Sequence, residues 1–239
     1  MTTDWQTYFE HLAPDTHLYR EQSRFYVQAL TTVVPIRGNH RVLDFGCGFG
    51  FVGAMLAPLV TEMWLWDSSP HMRAVATQNT ADLPNVKVCD GPPGGAAGAG
   101  AWMGSESGVF DFVLVNSVAQ YMEAGELRSW LGSWRRIISP VGAIVLSDLI
   151  PPGHGRLSDT WDLLRLGGRK GSTVSAFRHA LGGVVTYWRT SRRSPLLSVG
   201  KDELGRLAAD ARLDVEALPF NLTHFTGRWS AILRRLDRT

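Results

Sequence analysis

Asp44 stands near the end of the apolar run Val-Leu-Asp-Phe at 42–45 and is followed at once by Gly46, Gly48 and Gly50. A carboxylate just ahead of a glycine turn can hold a cationic amino group. Glycines, lacking Cβ, let a ligand approach the backbone closely. The stretch also fits a second chemistry. Gly48, Gly50 and Gly53 satisfy the spacing G-x-G-x-x-G, which cradles a pyrophosphate, and Asp67 lies near the distance expected of an acid that receives a ribose hydroxyl. Both readings require a strand, a glycine turn and a helix, but they differ in charge. A pyrophosphate wants unhindered amides at a helix start and is repelled by a carboxylate placed before the turn. An amino cation wants that carboxylate.

Asp67 closes the next apolar run, Met-Trp-Leu-Trp at 63–66, where its two oxygens match the two hydroxyls of a ribose. A purely structural role as the cap of the following helix is compatible with that. His154, in Pro-Pro-Gly-His, and His224, in Asn-Leu-Thr-His, follow or precede strands and are the candidates for a general base. A lone histidine is more often a hydrogen-bonded or solvated side chain, and His71 and His179 fall on expected helix surfaces. Cys47 and Cys89 are isolated thiols without metal-ligand spacing, so no metal is expected, and a reducing cytoplasm suits them.

The elements that must position these residues alternate. Strands are expected at 41–45, 62–66, 85–89, 109–115 and 141–147, with helices at 50–59, 69–80 and 123–138 between them. Alternating β and α with nearly all-apolar strands implies a parallel sheet covered on both faces. Residues 1–35 read as a helical cover in which Leu18, Phe25, Leu30 and Val34 recur near helical spacing until Pro35. The run 91–108, rich in Gly, Pro and Ala, holds no regular element and is expected to be a flexible surface loop. After a helix at 201–212, strands at 213–219 and 227–235 form a hairpin-like antiparallel pair at the sheet edge. The expected organisation is one domain: cover 1–35, a ligand-binding half 36–150, a helical lid insertion 151–199, and a C-terminal helix and strands 200–239.

The bulk numbers exclude several classes. With 239 residues, 44% hydrophobic and 19% charged, the chain can bury a large core and is not disordered. A net charge of +2 gives no global preference for nucleic acid, and no apolar run approaches the length of a membrane span. The first residues lack a basic stretch leading into an apolar core, so secretion is not expected.

With Val42–Gly50 in view, the chain resembles the class I S-adenosylmethionine-dependent methyltransferases. The likeness covers 42–147 and, less fully, the C-terminal strands. It implies a Rossmann-like, seven-stranded, mostly parallel α/β sheet with helices on both faces and an antiparallel last strand, a feature an ordinary dinucleotide domain lacks. It implies S-adenosyl-L-methionine as cofactor, held by Asp44, Gly46, Cys47 and Gly48 at the first motif. Asp67, Ser68 and Met72 follow at the second, with Met72 packing on adenine. Asp90 would accept from the adenine amino group with Gly91 beside it, and Asn116 and Ser117 would lie beside the methionine part. Tyr121 falls where relatives often carry a histidine and would border the acceptor together with His154 and His224.

The sulfonium already activates the methyl group, so such an enzyme mainly aligns a lone pair and excludes water. A base is needed only for some acceptors. The expected function is O- or N-methylation of a small molecule. The alternatives are an NAD(P)- or flavin-dependent oxidoreductase and a non-catalytic scaffold that binds the cofactor.

Residues 151–199 carry eight Lys or Arg against two Asp, a net +6 in a chain of +2. Mixed with Trp161, Phe177, Tyr187 and Trp188, this suits a lid that recruits an anionic, sugar-linked or lipid-linked acceptor. Weak contact with an anionic membrane surface and a simply solvated lid face are the other readings. No recognised RNA-binding motif accompanies the charge.

Overall fold

The computed structural model describes residues 3–10, 16–93, 109–154 and 193–236. Seven strands form one sheet: β1 (Arg41–Phe45), β2 (Glu62–Trp66), β3 (Val86–Val88), β4 (Phe110–Asn116), β5 (Ile138–Leu149), β6 (Leu213–Ala217) and β7 (Trp229–Arg235). Their order is β3-β2-β1-β4-β5-β7-β6. The first five are parallel to one another, and β7 runs antiparallel to both β5 and β6. The helices are α1 (Thr3–Glu10), α2 (Thr16–Val33), α3 (Phe51–Leu56), α4 (Pro70–Asn79), α5 (Ala124–Ile137) and α6 (Lys201–Asp210).

Side chains alternate between the two faces because a strand has period two. Val42, Phe112, Leu114, Ala143 and Val145 pack with Tyr26 and Leu30 of α2, Val34 just past it, Val52 and Leu56 of α3 and Ala76 of α4. Leu43, Phe45, Val113, Val115, Ile144 and Leu146 pack on the other face with Leu127, Leu131, Trp134 and Ile137 of α5 and Leu204 and Leu207 of α6. Each fully buried Leu, Ile or Val stabilises this sandwich by about 1.5–3 kcal/mol. α4 begins where Ser69 accepts a hydrogen bond from the Met72 amide and Pro70 occupies the first turn. α5 begins with a reciprocal capping box between Glu123 and Glu126.

The element assignments hold with three differences. The helix expected over 50–59 is an α-helix only to Leu56, and Ala57–Leu59 tighten to a 3₁₀ turn because Pro58 has no amide to continue the ladder. The strand expected over 141–147 runs from Ile138 to Leu149, and its register against β4 shifts between Phe110 and Phe112. In the N-terminal cover the buried residues are Tyr26 and Leu30 of α2 and Val34 just beyond its end, whereas Phe25 is 43% exposed. A one-residue error in phase rotates a helical side chain by about 100°. The cover itself is two helices.

Most of two expected features, the glycine-rich loop (94–108) and the lid (155–192), lies outside the described residues. Among the described residues no helix is long and apolar enough to cross a membrane, and no group of three or more His, Cys, Asp or Glu could hold a metal.

Candidate active site

Because β1 to β5 are parallel, their carboxyl ends share one edge of the layer. β7 is antiparallel and starts with Trp229 opposite Leu149, so the loop before it reaches the same edge. Asp44 occupies the second-last position of β1, with Leu65 and Leu114 as its strand partners. It is 2% exposed, and its Oδ2 has no hydrogen-bond partner. Burial, and next the charge of Asp67, raise its pKa to about 7. Burial, and to a lesser extent the Asp44 charge, also push up the phenol of Tyr26 on α2.

The glycine turn follows. Gly46 has φ +81°, and a Cβ there would come within 2.3 Å of Val118 Cγ2, so no other residue fits. Gly48 also has positive φ (+52°), but nothing lies within 4 Å of where its Cβ would stand. A ligand can therefore lie against the backbone there.

Asp67 follows β2, nearly buried, and is fixed by the turn it faces. Its Oδ2 accepts from the Gly48 amide at 2.9 Å and its Oδ1 from the Ser69 amide at 2.9 Å. Burial raises its pKa, against the pull of those amides and of the Arg73 charge. Asp67 is thus not the cap of α4, a role taken by Ser69. Each carboxylate oxygen still has capacity for a second donor.

This geometry weighs against a pyrophosphate. The amides of Gly46 and Cys47 donate to Trp66 O, that of Gly48 to Asp67, and that of Gly50 to Cys47 O. The turn's donors are engaged inside the protein, and two carboxylates flank it. Cys47 is buried, its thiol pushed well up by burial and then by the Asp44 and Asp67 charges, so it stays a neutral filler.

Residues 42–142 match the family model of a methyltransferase domain. A protein-L-isoaspartate O-methyltransferase of Anaeromyxobacter dehalogenans (strain 2CP-C) is 32% identical over 121 residues, which is 49% of this chain and 54% of that one. The chain thus matches about half the length of such curated relatives. Over residues 42–142 the chain is thus similar to methyltransferase domains. Solved structures agree in fold. A chain of the complex between the Haloferax volcanii Trm112 methyltransferase activator and a methyltransferase superposes with TM-score 0.63 at 15% identity, over 95% of this chain and 96% of that one. Magnesium protoporphyrin IX methyltransferase from Synechocystis PCC 6803, with bound SAH, gives 0.54 at 16% identity over 96% and 91%.

Around this edge the remaining expected residues fall as follows. Ser68 is half-buried, and its carbonyl accepts from Arg73 Nη1 at 3.4 Å. Met72 is buried with Phe49 and Phe51, and Phe9, Tyr19 and Val75 pack against that cluster. Asp90 is exposed just past β3, with Gly91 half-buried beside it. Asn116 ends β4, and its Oδ1 is buried without a hydrogen-bond partner. Ser117 follows in a left-handed conformation, φ 57°. Tyr121 packs against Trp5 (4.7 Å between ring centroids) and Phe9 (5.1 Å) of α1. His154 and His224 are half-buried, the former in the turn after β5, the latter in the loop before β7 with its ring 4.0 Å from Phe225.

Two groups escaped the sequence reading. One is the aromatic face of α1, within the expected cover, whose Trp5 is fully buried and donates from Nε1 to Ser194 O at 3.1 Å, closing the helix over Tyr121. The spacing of Trp5, Tyr8 and Phe9 was its only signal. The other is Asp148, near the end of β5, which sits at the centre of a buried network with Arg228, Ser117, Thr223 and Asn221. The rule that picked out Asp44 and Asp67, an acid closing an apolar strand, also picks out Asp148.

Proposed function

We propose that this methyltransferase transfers the S-adenosylmethionine methyl group to the oxygen or nitrogen of a small, anionic molecule. The observation that carries the reading is the pair of buried acceptors without partners on adjacent strands, Asp44 Oδ2 and Asn116 Oδ1. A buried polar atom left unsatisfied costs about 1–3 kcal/mol. An ammonium donating to both would remove that cost, and the methionine portion of the cofactor carries one.

When bound, the cofactor supplies a methyl group already activated on a sulfonium. The chain's part is placement. Asp44 and Asn116 hold the amino group, with Ser117 beside them. The backbone of Gly46, Cys47 and Gly48 passes along the methionine part, and Asp67 receives the ribose hydroxyls. Asp90 accepts from the adenine amino group, with Ser68, Met72 and Gly91 around the ring. Tyr121, His154 and His224 border the acceptor. α1 closes over Tyr121, which supports an enclosed acceptor and helps exclude water. For a hydroxyl acceptor, His154 or His224 takes up the proton. For a neutral amine, no base is required.

The charge of 151–199, net +6, supports an anionic acceptor drawn in by that lid. A protein acceptor is the second reading, favoured by the curated relative that acts on protein isoaspartate.

Incubating the protein with methyl-labelled S-adenosylmethionine and either a metabolite extract or an isoaspartyl peptide separates these. Label in the small-molecule fraction that falls with added salt supports the proposal. Label only in the peptide overturns the small-molecule reading. Cofactor binding without transfer to either points to a scaffold, and retention of a nicotinamide or flavin nucleotide instead removes the methyltransferase reading.

A further inference from the structure

Asp148 and Arg228 form an ion pair of 2.7 Å whose side chains are 0% and 2% exposed. A buried carboxylate is costly unless every lone pair is engaged, and here every one is. Oδ2 accepts from Arg228 Nη1 at 2.7 Å and from Ser117 Oγ at 2.9 Å. Oδ1 accepts from Thr223 Oγ1 at 2.7 Å and from Asn221 Nδ2 at 3.2 Å. A group so saturated has no capacity left for a ligand. Its effect is exerted on the residues it holds.

Those residues come from three separate pieces of the edge. Ser117 has φ 57° and Asp148 has φ 70°, so two non-glycine residues in the left-handed region sit at the ends of neighbouring strands. Such strain persists only where the surroundings over-determine it, and it concentrates at functional sites. Ser117 is held by its side chain on Asp148 and by its amide on Ser147 O at 3.2 Å. Asp148 is held by its own amide on Asn221 Oδ1 at 3.2 Å. Arg228 extends the network by donating to Gln120 Oε1 at 2.6 Å, next to Tyr121, and its guanidinium lies over the Phe225 ring at 4.3 Å. The Phe225 ring in turn lies against that of His224, tilted by 37°.

We propose that Asp148 is a positioning residue of the transfer site. Through Ser117 it fixes the turn that meets the methionine end of the cofactor, and through Arg228 it fixes the wall formed by Gln120 and the loop 221–228. One buried carboxylate thereby holds both reacting partners in register. The inference rests on the proposed cofactor position and adds to it a residue that touches neither partner.

The test compares two ligands by calorimetry on the full chain: S-adenosylhomocysteine, which has the methionine end, and adenosine, which lacks it. The variant is Asp148→Asn combined with Arg228→Gln, which leaves no unpaired buried charge and keeps at 148 a residue that tolerates positive φ. Affinity for S-adenosylhomocysteine is expected to fall about tenfold, the effect of losing a charge-assisted hydrogen bond, with adenosine affinity unchanged. Equal losses for both ligands, or none for either, overturn the proposal. Should the double variant not fold, Ser117→Ala removes the same contact with the ion pair intact and is read by the same ratio. If the wild-type protein binds neither ligand, the cofactor reading fails and this inference with it, a result unlike binding without discrimination.

Discussion

Two buried aspartates on the same edge of the sheet have opposite surroundings. Asp148 has each of its acceptor sites filled and a guanidinium against it. Asp44 has an oxygen without a partner, a second carboxylate as its charged neighbour and a pKa raised to about 7. The first makes a completed network that the fold uses for itself. The second is completed only by something the chain does not contain. The difference teaches how to separate a structural acid from a binding acid when both are buried: the count of engaged lone pairs decides, and burial does not.

Removing one partner of the completed pair is expected to have the largest effect. Asp148→Asn alone leaves Arg228 charged and buried, and unfolding in urea should show a loss of about 3–5 kcal/mol. A loss below 1 kcal/mol would mean that the pair is solvated and the contrast unfounded.

Asp67 comes next, since it shares features of both: two backbone amides on its oxygens, yet capacity for more. Asp67→Ala should weaken S-adenosylhomocysteine binding by about 1–3 kcal/mol in calorimetry, because ligand hydroxyls lose a charged acceptor. Unchanged affinity would move Asp67 to the structural side.

Asp44→Asn should separate stability from binding. In the folded chain this carboxyl keeps its proton to about pH 7, whereas unfolded it releases it near pH 4. Between those values the folded state binds more protons than the unfolded state, so the wild-type protein loses stability as pH rises through that window. The asparagine variant lacks this slope. Thermal melts of the ligand-free proteins should favour the variant at pH 8 and converge toward pH 4, while its affinity for S-adenosylhomocysteine falls. For the wild type, that affinity should rise with pH up to about 7 as the carboxylate forms opposite the ligand's ammonium. Parallel melting curves at both pH values would show that Asp44 is not held protonated.

The smallest effect sets the scale for a carboxylate at the surface. Glu62 pairs with Arg41 at 3.0 Å and Lys87 at 3.1 Å, both cations nearly half exposed. Glu62→Gln should change the unfolding free energy by no more than about 1 kcal/mol, and salt should shrink that further.

Much of the fold was legible along the chain. Alternating apolar strands and helices gave the parallel sheet, and the strand-end acids gave Asp44 and Asp67, because both signals are local: a period of two or 3.6 residues, and a carboxylate beside a turn. The glycine turn was legible for the same reason, since a left-handed φ favours glycine locally, whereas the Val118 contact that also excludes a Cβ at Gly46 comes from far along the chain. The phase of α2 was not, because Phe25 and Tyr26 are adjacent large aromatics, and packing against the sheet buries the second although the first is the more apolar.

What the sequence determined by itself was therefore the order of strands and turns and the acids placed at their ends. Tertiary structure alone decided which acid is satisfied: the partners of Asp148 lie 31 to 80 residues away in the chain, past β4 and before β7. Hydrogen bonds of that reach are fixed by how the sheet brings strand ends together, and no local pattern encodes them.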